Sequence, residues 1–285
     1  MLGFYNINKP TGQSSTKIVS HVKWFSKQKS GHLGTLDPMA GGVLPIAVGK
    51  ATKLFDWFLQ KDKEYFAIGL FGTQTDTLDA EGTVELKQQV NITKEQIDAV
   101  IDQFRGEISQ IPPKYSAISI NGAKAYDLAR LGKDFAVPER KVNIFDLQCL
   151  RQEGENLFSF KIHCSAGTYV RSLILAIAQK LGTVATTVCI IRTKSGSFTI
   201  NDSNTVEELE AGKARLFKVE EVISLPRLNV SDEIKNKLLN GQQPKITAAN
   251  GQYLCFSNKQ LIGIAEVDNY KIKININLWE ETTND

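Results

Sequence analysis

The spacing of apolar residues changes several times along the chain, and each change marks a predicted strand or helix. From Leu157 to Cys164 every second residue is apolar, which is the pattern of a strand with one buried face. Amphipathic helices are predicted over Thr93–Phe104, behind an N-terminal capping box, and over Thr168–Leu181. Further strands are predicted at Gly3–Asn8, Val43–Val48, Tyr65–Phe71 and Thr183–Arg192. Because strands and helices do not alternate strictly, their order predicts an α+β fold.

One predicted strand contains a proline. Pro45 lies in the middle of Val43–Val48 and has no N–H to donate to a neighbouring strand. This strand is therefore predicted at an edge of its sheet.

Residues 106–141 differ from the rest of the chain and are predicted to form an excursion from the core. They contain a Pro-Pro pair, the hairpin signal Asn121-Gly122 and a short predicted helix near Lys124–Leu131. The basic residues of this segment are Lys114, Lys124, Arg130, Lys133, Arg140 and Lys141. A long basic loop with a hairpin suits a clamp for nucleic acid, and a plain surface insertion is the alternative.

A small β-rich module is predicted after the turn at Leu225-Pro226-Arg227. Residues 226–285 contain a predicted helix at Ser231–Leu239 and predicted strands at 253–256, 260–266 and 270–277. Because the segment is short for independent stability, it is predicted to pack against residues 1–225.

Positive charge is concentrated at the beginning of the chain. The 285 residues carry a formal net charge of only +3, yet the first 55 residues contain seven lysines and a single acid, Asp37. A local basic face of this kind suits a phosphate-rich partner. A solvated lysine-rich surface is the alternative.

The composition disfavours several classes of site. The four cysteines include no C-x-x-C pair and the three histidines show no ligand spacing, so no transition-metal site is predicted. Neither glycine-rich nucleotide fingerprint occurs, which argues against a nucleotide cofactor. No apolar run reaches the roughly 18 residues of a membrane span, and the first residues lack the pattern of a signal peptide. A cytoplasmic protein is predicted.

Asp37 is the first candidate for chemistry. It lies in GHLGTLDPMAGG, where the glycines and Pro38 predict a shaped loop that runs into a strand. The surrounding positive charge predicts a lowered pKa for this carboxyl, and an ionised carboxylate can act as a nucleophile or a base. From spacing alone, a structural acid in an Asp-Pro turn is the alternative.

Two further stretches contain candidate polar residues. In CSAGTYVR, Arg171 falls in the first turn of a predicted helix, where the helix dipole disfavours a cation. A carboxylate partner is therefore predicted for Arg171, with a solvent-facing arginine as the alternative. Asp76 and Asp79 follow a predicted strand, and loop capping is predicted for them in preference to metal binding.

Six segments, in order along almost the whole chain, resemble the bacterial tRNA pseudouridine-55 synthase (TruB) family. They are GFYNINKPTGQSS, GHLGTLDPMAGGVLPIAVGKATKL, KEYFAIGLFGTQTDTLDAEG, RGEISQIPPKYSAISINGAKAYDLAR, CSAGTYVRSL and IIRTKSGSF. The resemblance implies the pseudouridine synthase fold, a mixed and largely antiparallel sheet with flanking helices. It also implies a catalytic domain at 1–225, an RNA-clamping insertion at 106–141 and a PUA-like RNA-binding module at 226–285.

The resemblance implies roles for individual residues. Asp37 corresponds to the catalytic aspartate, Tyr65 to a tyrosine that stacks on the target base, and Arg171 to an arginine that pairs with the aspartate. The implied substrate-binding residues are His32, Ile190, Lys9, Gly34, Thr35 and Tyr169. The family often shows L-R-R where this chain has Ile190-Ile191-Arg192. The difference keeps an apolar lining at this position and removes one basic side chain.

The implied reaction is the isomerisation of uridine 55 in the T-arm of tRNA, on a flipped base and without cofactor or metal. The implied partner is tRNA and the implied state a monomer. Two rival functions remain from the residues alone. A non-catalytic RNA-binding protein would not need Asp37, and a carboxylate-nucleophile hydrolase would need a second acid and would release uracil.

Overall fold

The structure, a computed structural model, describes residues 1–280 and is built around one ten-stranded sheet. Residues 281–285, the end of the predicted C-terminal module, lie outside the described residues. The strands are β1 (Gly3–Lys9), β2 (Ser30–His32), β3 (Gly41–Val48), β4 (Lys63–Phe71), β5 (Thr73–Thr75), β6 (Val84–Lys87), β7 (Gly106–Gln110), β8 (Ser119–Ile120), β9 (Ala123–Lys124), β10 (Arg140–Gly154), β11 (Leu157–Cys164), β12 (Ala185–Ser195), β13 (Phe198–Thr199), β14 (Leu216–Phe217), β15 (Arg227–Asn229), β16 (Gly251–Ser257), β17 (Gln260–Asp268) and β18 (Lys271–Asn277). The helices are α1 (Ser15–Ser26), α2 (Phe55–Leu59), α3 (Lys94–Ile101), α4 (Ala125–Arg130), α5 (Val170–Lys180), α6 (Val206–Glu210), α7 (Val219–Val222) and α8 (Asp232–Leu239).

The central sheet is mixed and largely antiparallel. Its strand order is β14-β1-β3-β12-β4-β11-β10-β7, with β2 beside β3 and β13 beside β12. The pairing of β12 with β3 is parallel, whereas β12 pairs with β4 in the antiparallel sense. Apolar residues of α1, α3 and α5, including Ile18, Ile97 and Ile174, are fully buried in one core with the sheet. The predicted α+β class and sheet type are confirmed.

The strand β3 lies inside the sheet, so the predicted edge position is wrong. All its residues are buried, and β1 pairs with it from Gly42 to Val48. The Pro45 carbonyl accepts a hydrogen bond from the Leu33 N–H at 2.8 Å, which shows that the polar groups of Pro45 face away from β1. On that side β12 pairs only as far as Gly42 and β2 begins at Ile46. The missing N–H therefore falls in a gap between two partners.

The helices agree in place with the prediction and differ at their ends. Thr93 caps α3 in a capping box with Gln96, and the last turn continues as a 3-10 helix. Helix α5 begins two residues later than predicted because Tyr169 is extended and forms its N-cap. The prediction lacked α1, which buries Ile18 and Val22. Within residues 1–280 no helix combines the length and apolarity needed to cross a bilayer.

The excursion at 106–141 leaves and re-enters the sheet through adjacent strands. Strand β7 pairs with the start of β10, where Gln110 lies opposite Arg140. Between them, β8 and β9 form a hairpin whose turn residues, Asn121 and Gly122, have φ angles of 50° and 86°. The predicted hairpin and short helix are confirmed, and because β7 ends the strand order the segment extends from one edge of the sheet.

The C-terminal module is a four-stranded sheet of order β15-β16-β17-β18 with α8 beside it. Its residues Leu254 and Phe256 belong to one buried apolar cluster with Phe4 and Phe58 from the beginning of the chain. The predicted packing of the module against residues 1–225 is therefore confirmed.

Candidate active site

Asp37 lies in the loop between β2 and β3, and hydrogen bonds hold the residues on both sides of it. The Ser15 hydroxyl accepts a hydrogen bond from the Leu36 N–H at 2.9 Å and donates to the Leu36 carbonyl at 2.8 Å. The Gly12 N–H donates to the Pro38 carbonyl at 2.8 Å. The backbone of the loop is fixed in this way, while the Asp37 side chain keeps 34% of its surface exposed.

Lys9 belongs to this scaffold, and its surroundings argue against the contact with RNA that the resemblance implies. The residue is 1% exposed. Its ammonium donates to the carbonyls of Pro10 (2.9 Å), Gln13 (2.5 Å) and Pro38 (3.1 Å). Burial lowers the pKa of Lys9 to about 8, against an opposing effect of Asp37. Because its ammonium donates to these three carbonyls, Lys9 fixes the first turn against the Asp37 loop.

Arg171 has the carboxylate partner that its position in the helix predicts. Its Nη2 atom lies 2.7 Å from an Asp37 carboxylate oxygen, and its Nη1 atom lies 3.0 Å from Asp79. The carbonyls of Thr77 (2.7 Å) and Tyr115 (3.0 Å) accept further hydrogen bonds from the guanidinium. Two carboxylates offset the unfavourable helix dipole and the burial of a residue that is 3% exposed. The predicted pairing is confirmed.

Asp79 is a member of the site that the sequence prediction treated only as a loop acid. It is 4% exposed, accepts a hydrogen bond from the Thr77 hydroxyl at 2.6 Å and faces Arg171 with its other oxygen. Asp76 does cap its loop, because it accepts from the Thr83 N–H at 2.8 Å. Among residues 1–280 no group of three or more potential metal-ligating side chains occurs.

The electrostatic balance at Asp37 differs from the one predicted. Burial raises the pKa of the Asp37 carboxyl above its ordinary value, and the nearby Asp79 carboxylate adds to the rise. Arg171 and Lys9 lower the pKa without cancelling these effects. The predicted lowering was wrong because the number of nearby lysines carries no information about desolvation. Arg171 and Lys9 therefore act against burial to keep the carboxylate ionised.

A small pocket of about 90 Å³ opens at Asp37. Its lining residues are Thr35, Leu36, Asp37, Ala40, Tyr65, Thr168, Tyr169, Val170, Arg171 and Ile190. Ile190 is 5% exposed and contributes an apolar wall. Burial raises the pKa of Tyr65 to about 12, so its phenol is neutral at neutral pH. The three predicted catalytic residues, Asp37, Tyr65 and Arg171, thus share one cavity.

A second cavity of about 430 Å³ adjoins the pocket and shares Asp37 and Tyr65 with it. Lys63, Arg140 and Arg192 line this cavity, which we call the cationic chamber. A larger cavity of about 650 Å³ lies between β7 and α5, and Asp37 does not line it. A choice of the largest of these cavities by volume would therefore miss the site at Asp37.

Arg192 holds the loop between β2 and β3, a role that the sequence did not reveal. The residue is 1% exposed. Its guanidinium donates to the carbonyls of Val43 (2.7 Å), Gly34 (3.0 Å) and Thr35 (3.4 Å). The backbone of β12 also approaches β3 closely, because a Cβ at Gly42, with φ of +97°, would lie 2.3 Å from the Arg192 carbonyl oxygen. The apolar Ile190-Ile191 step gave no sign that the next residue fixes a loop.

Of two other predicted binding residues, Tyr169 lines the site and His32 does not. His32 lines neither the pocket nor the cationic chamber, and its buried Nδ1 atom has no hydrogen-bond partner in residues 1–280. Burial lowers the pKa of His32. Tyr169 lines both cavities and is held by Gln110, whose side-chain amide donates to the Tyr169 carbonyl (3.0 Å) and accepts from its N–H (2.8 Å). Gln110 was absent from the prediction because an isolated glutamine carries no signal.

Comparisons with known proteins find relatives of this chain. The family model described as "TruB family pseudouridylate synthase (N terminal domain)" matches residues 22–170, a range that includes Asp37 and Tyr65. The tRNA pseudouridine synthase B of Caldanaerobacter subterraneus is 37% identical over 276 residues, which cover 95% of this chain and 97% of that protein. The tRNA pseudouridine synthase B of Francisella philomiragia is 39% identical over 280 residues, which cover 95% and 92%.

Solved structures share the fold. An H/ACA RNP bound to a substrate RNA containing 2'-deoxyuridine has a TM-score of 0.71 at 22% identity, over 98% of this chain and 86% of that chain. A Cbf5-Nop10-Gar1 complex has a TM-score of 0.67 at 25% identity, over 93% and 78%. The family model spans more than half of the chain, and the two synthases align over nearly all of it. The chain therefore belongs to the TruB family of pseudouridylate synthases.

Proposed function

We propose that this protein converts uridine to pseudouridine at position 55 in the T-arm of tRNA, with residues 1–225 as its catalytic domain. The observation that carries the proposal is the ion pair of Asp37 and Arg171 in a pocket with Tyr65 and Ile190 in its walls. The family supplies the reaction class, an isomerase, and the two synthases compared above are named for action on tRNA.

Pseudouridine formation leaves the composition and the mass of the uridine unchanged. The N1–C1′ bond breaks, the uracil turns within the site, and a C5–C1′ bond forms. The proton at C5 is lost and N1 gains one, and no electrons pass to another molecule. The protein therefore has to supply a charged group, proton transfer and a water-poor pocket.

Asp37 is proposed to meet the ribose and the ring of the flipped uridine. Attack on C1′, attack on C6 and removal of a sugar proton all start from the ionised carboxylate. Arg171 favours this form and fixes its direction through the 2.7 Å contact. Gly34, Thr35 and Tyr169, which line the adjoining chamber, are proposed to contact the same nucleotide.

Tyr65 and Ile190 are proposed to retain the detached base. A neutral phenol ring can stack on uracil, and the Ile190 side chain excludes water. Escape of the base or entry of water would turn the isomerisation into hydrolysis. A hydrolase would also need a second acid at the pocket, and Asp79 is 4% exposed and does not line it. This geometry favours the isomerase over the hydrolase.

Binding of the T-arm is proposed to involve the excursion at 106–141, the module at 226–285 and a basic surface on and after α1. The exposed lysines of this surface are Lys17, Lys23, Lys27 and Lys29. Lys50 and Lys53 instead donate to carbonyls of the C-terminal module. The protein is proposed to act on tRNA as a cytoplasmic monomer without metal. Contacts with phosphates predict that its affinity for tRNA falls with salt.

Incubation of the protein with unmodified tRNA tests the proposal. Primer extension after carbodiimide treatment is expected to stop at a single new pseudouridine, at position 55, in RNA of unchanged mass. The Asp37→Asn variant is expected to give no stop. Release of free uracil would identify a hydrolase, and binding without any change in the RNA would identify a non-catalytic binding protein.

A further inference from the structure

We infer that the cationic chamber is a phosphate subsite, in which Arg140 binds one of the two phosphodiesters that flank the reacting uridine. The inference rests on the proposed function and deepens it. In this view the chamber recognises a phosphodiester of the RNA backbone next to the reacting nucleotide. Such a contact does not depend on the identity of the base.

The chamber carries positive charge that the protein does not neutralise. Lys63, Arg140 and Arg192 line it, and Asp37 is the single acid in its lining among residues 1–280. Asp37 is itself paired with Arg171. An anion is therefore the ligand that this lining favours. The volume of about 430 Å³ lies in the range of pockets that hold small ligands, about 300–1,000 Å³.

Arg140 differs from the other two cations of the chamber because its Nε atom lacks an acceptor. Arg192 directs its guanidinium to backbone carbonyls of the Asp37 loop and of β3. Lys63 donates to the carbonyls of Leu59 and Lys61. In the described chain the Nε atom of Arg140 is buried without a hydrogen-bond partner. A buried donor without an acceptor is costly, and a bound anion would supply the acceptor.

The Arg140 guanidinium is held in a defined orientation. Its central carbon lies 4.5 Å from the centre of the Tyr169 ring. Gly167 flanks it closely, since a Cβ on this glycine would lie 3.6 Å from the same carbon. The Arg140 backbone pairs with that of Gln110, and Gln110 in turn holds Tyr169. A stacked and fixed guanidinium is suited to bidentate contact with phosphate oxygens.

The position of the chamber identifies which phosphates it can take. The pocket at Asp37 has a volume of about 90 Å³, far less than the 430 Å³ of the cationic chamber. A base that enters it therefore leaves its ribose and phosphates outside. The cationic chamber shares Asp37 and Tyr65 with the pocket, so we expect the backbone next to the flipped base to lie there. The two phosphodiesters nearest to the base are the 5′ and 3′ neighbours of the uridine.

Removal of the charge on the protein and on the RNA, separately and together, tests the inference. Three T-arm stem-loops are compared: one unmodified, one with a neutral methylphosphonate 5′ of the target uridine and one with it 3′. With unmodified RNA, Arg140→Gln is expected to lower kcat/KM about tenfold or more, the scale of a lost charge-assisted hydrogen bond. One of the two methylphosphonate RNAs lacks the phosphate charge that Arg140 binds. On that RNA, Arg140→Gln is expected to lower kcat/KM almost no further.

Lys141→Gln is the matched control, because it removes a positive charge from the next residue. The Lys141 side chain is 73% exposed and pairs with Glu107, so its effect is expected to be equal on all three RNAs. Arg140→Lys keeps the charge and is expected to retain part of the energetic coupling between residue 140 and the phosphate.

An equal loss of kcat/KM on all three RNAs for Arg140→Gln, with or without a lower Tm, would overturn the inference and assign Arg140 to the support of Tyr169. If the wild-type protein forms no pseudouridine, the proposed function fails, and Kd values for the same RNAs still test the subsite.

Discussion

Two groups of cations in this protein carry the same charge in very different surroundings. The buried cations are Lys9, Arg171 and Arg192, each at most 3% exposed. The second group is Lys17 and Lys23 of α1 with Lys27 at its C-cap, all exposed, and we call these the α1 lysines. The buried cations direct their donors to backbone carbonyls and carboxylates around one loop, so they determine geometry. The α1 lysines keep their hydration and are available to phosphates, where their effect depends on salt. Burial, and not charge, separates the two roles.

The strongest test of this comparison removes the group that the buried cations surround. Asp37→Asn keeps the size of the side chain and removes the negative charge, while Arg171 retains Asp79 as a partner. Turnover in a tritium-release assay is expected to fall by at least about 10³-fold, the scale of losing an essential base or nucleophile. Affinity for tRNA is expected to stay within a few-fold, because the α1 lysines are untouched. Retained turnover would contradict the role of Asp37.

A second test alters one buried cation without removing its charge. Arg171→Lys cannot bridge Asp37 and Asp79 with a planar fork, and kcat is expected to fall by about 10²–10³-fold. Arg171 lowers the pKa of Asp37 against burial, so a weaker contact raises that pKa. Because the ionised carboxylate is the active form, the acid limb of the pH–rate profile is expected to move to higher pH.

The control for this pH shift is Arg105→Lys, which changes an exposed arginine paired with Asp102. It is expected to leave both the rate and the pH profile unchanged. A lower rate for Arg171→Lys with an unmoved acid limb would show that Arg171 acts on the orientation of Asp37 and not on its charge state.

A third test asks whether a buried cation without a carboxylate partner also supports the loop. Arg192→Leu leaves the carbonyls of Gly34, Thr35 and Val43 without their donor. The free energy of unfolding is expected to fall by about 2–4 kcal/mol, because an unsatisfied buried acceptor costs about 1–3 kcal/mol and Val43 is buried, whereas Gly34 and Thr35 are partly open to water. The exposed Lys23→Gln is expected to stay within about 0.5 kcal/mol. Equal stabilities in denaturant unfolding would remove the distinction between the two groups.

The sequence predicts those site residues whose roles show in their local sequence context. Arg171 was assigned a carboxylate because a cation in the first turn of a helix conflicts with the dipole, and Asp37 provides that carboxylate. Lys9 and Arg192 gave no such conflict, because their partners are backbone carbonyls, which every residue has. The pKa of Asp37 was predicted in the wrong direction for a related reason, since desolvation arises only when distant segments pack.

The fold shows the same division between local and distant causes. The capping box of α3 and the Asn121-Gly122 turn are local, and both were predicted correctly. The edge position predicted for the strand with Pro45 was wrong, because it depended on which strands lie on either side of β3. A proline is tolerated inside this sheet only because its missing N–H falls between two partners, and no property of residues 43–48 reports that.

The smallest effects on activity and stability are expected from substitutions of the exposed α1 lysines. The triple variant Lys17→Gln/Lys23→Gln/Lys27→Gln is expected to keep the stability and kcat of the wild type and to raise the Kd for tRNA at low salt. The slope of log Kd against log salt is expected to fall by about 1 for each phosphate contact that is lost. Lys50→Gln/Lys53→Gln is the matched control, because these lysines belong to the same basic segment and donate to carbonyls of Trp279 and Asn277. That variant is expected to change stability more than the salt slope. Because Lys50 and Lys53 are also exposed, the reverse outcome would mean that a hydrogen bond to a carbonyl does not keep an exposed lysine from the RNA.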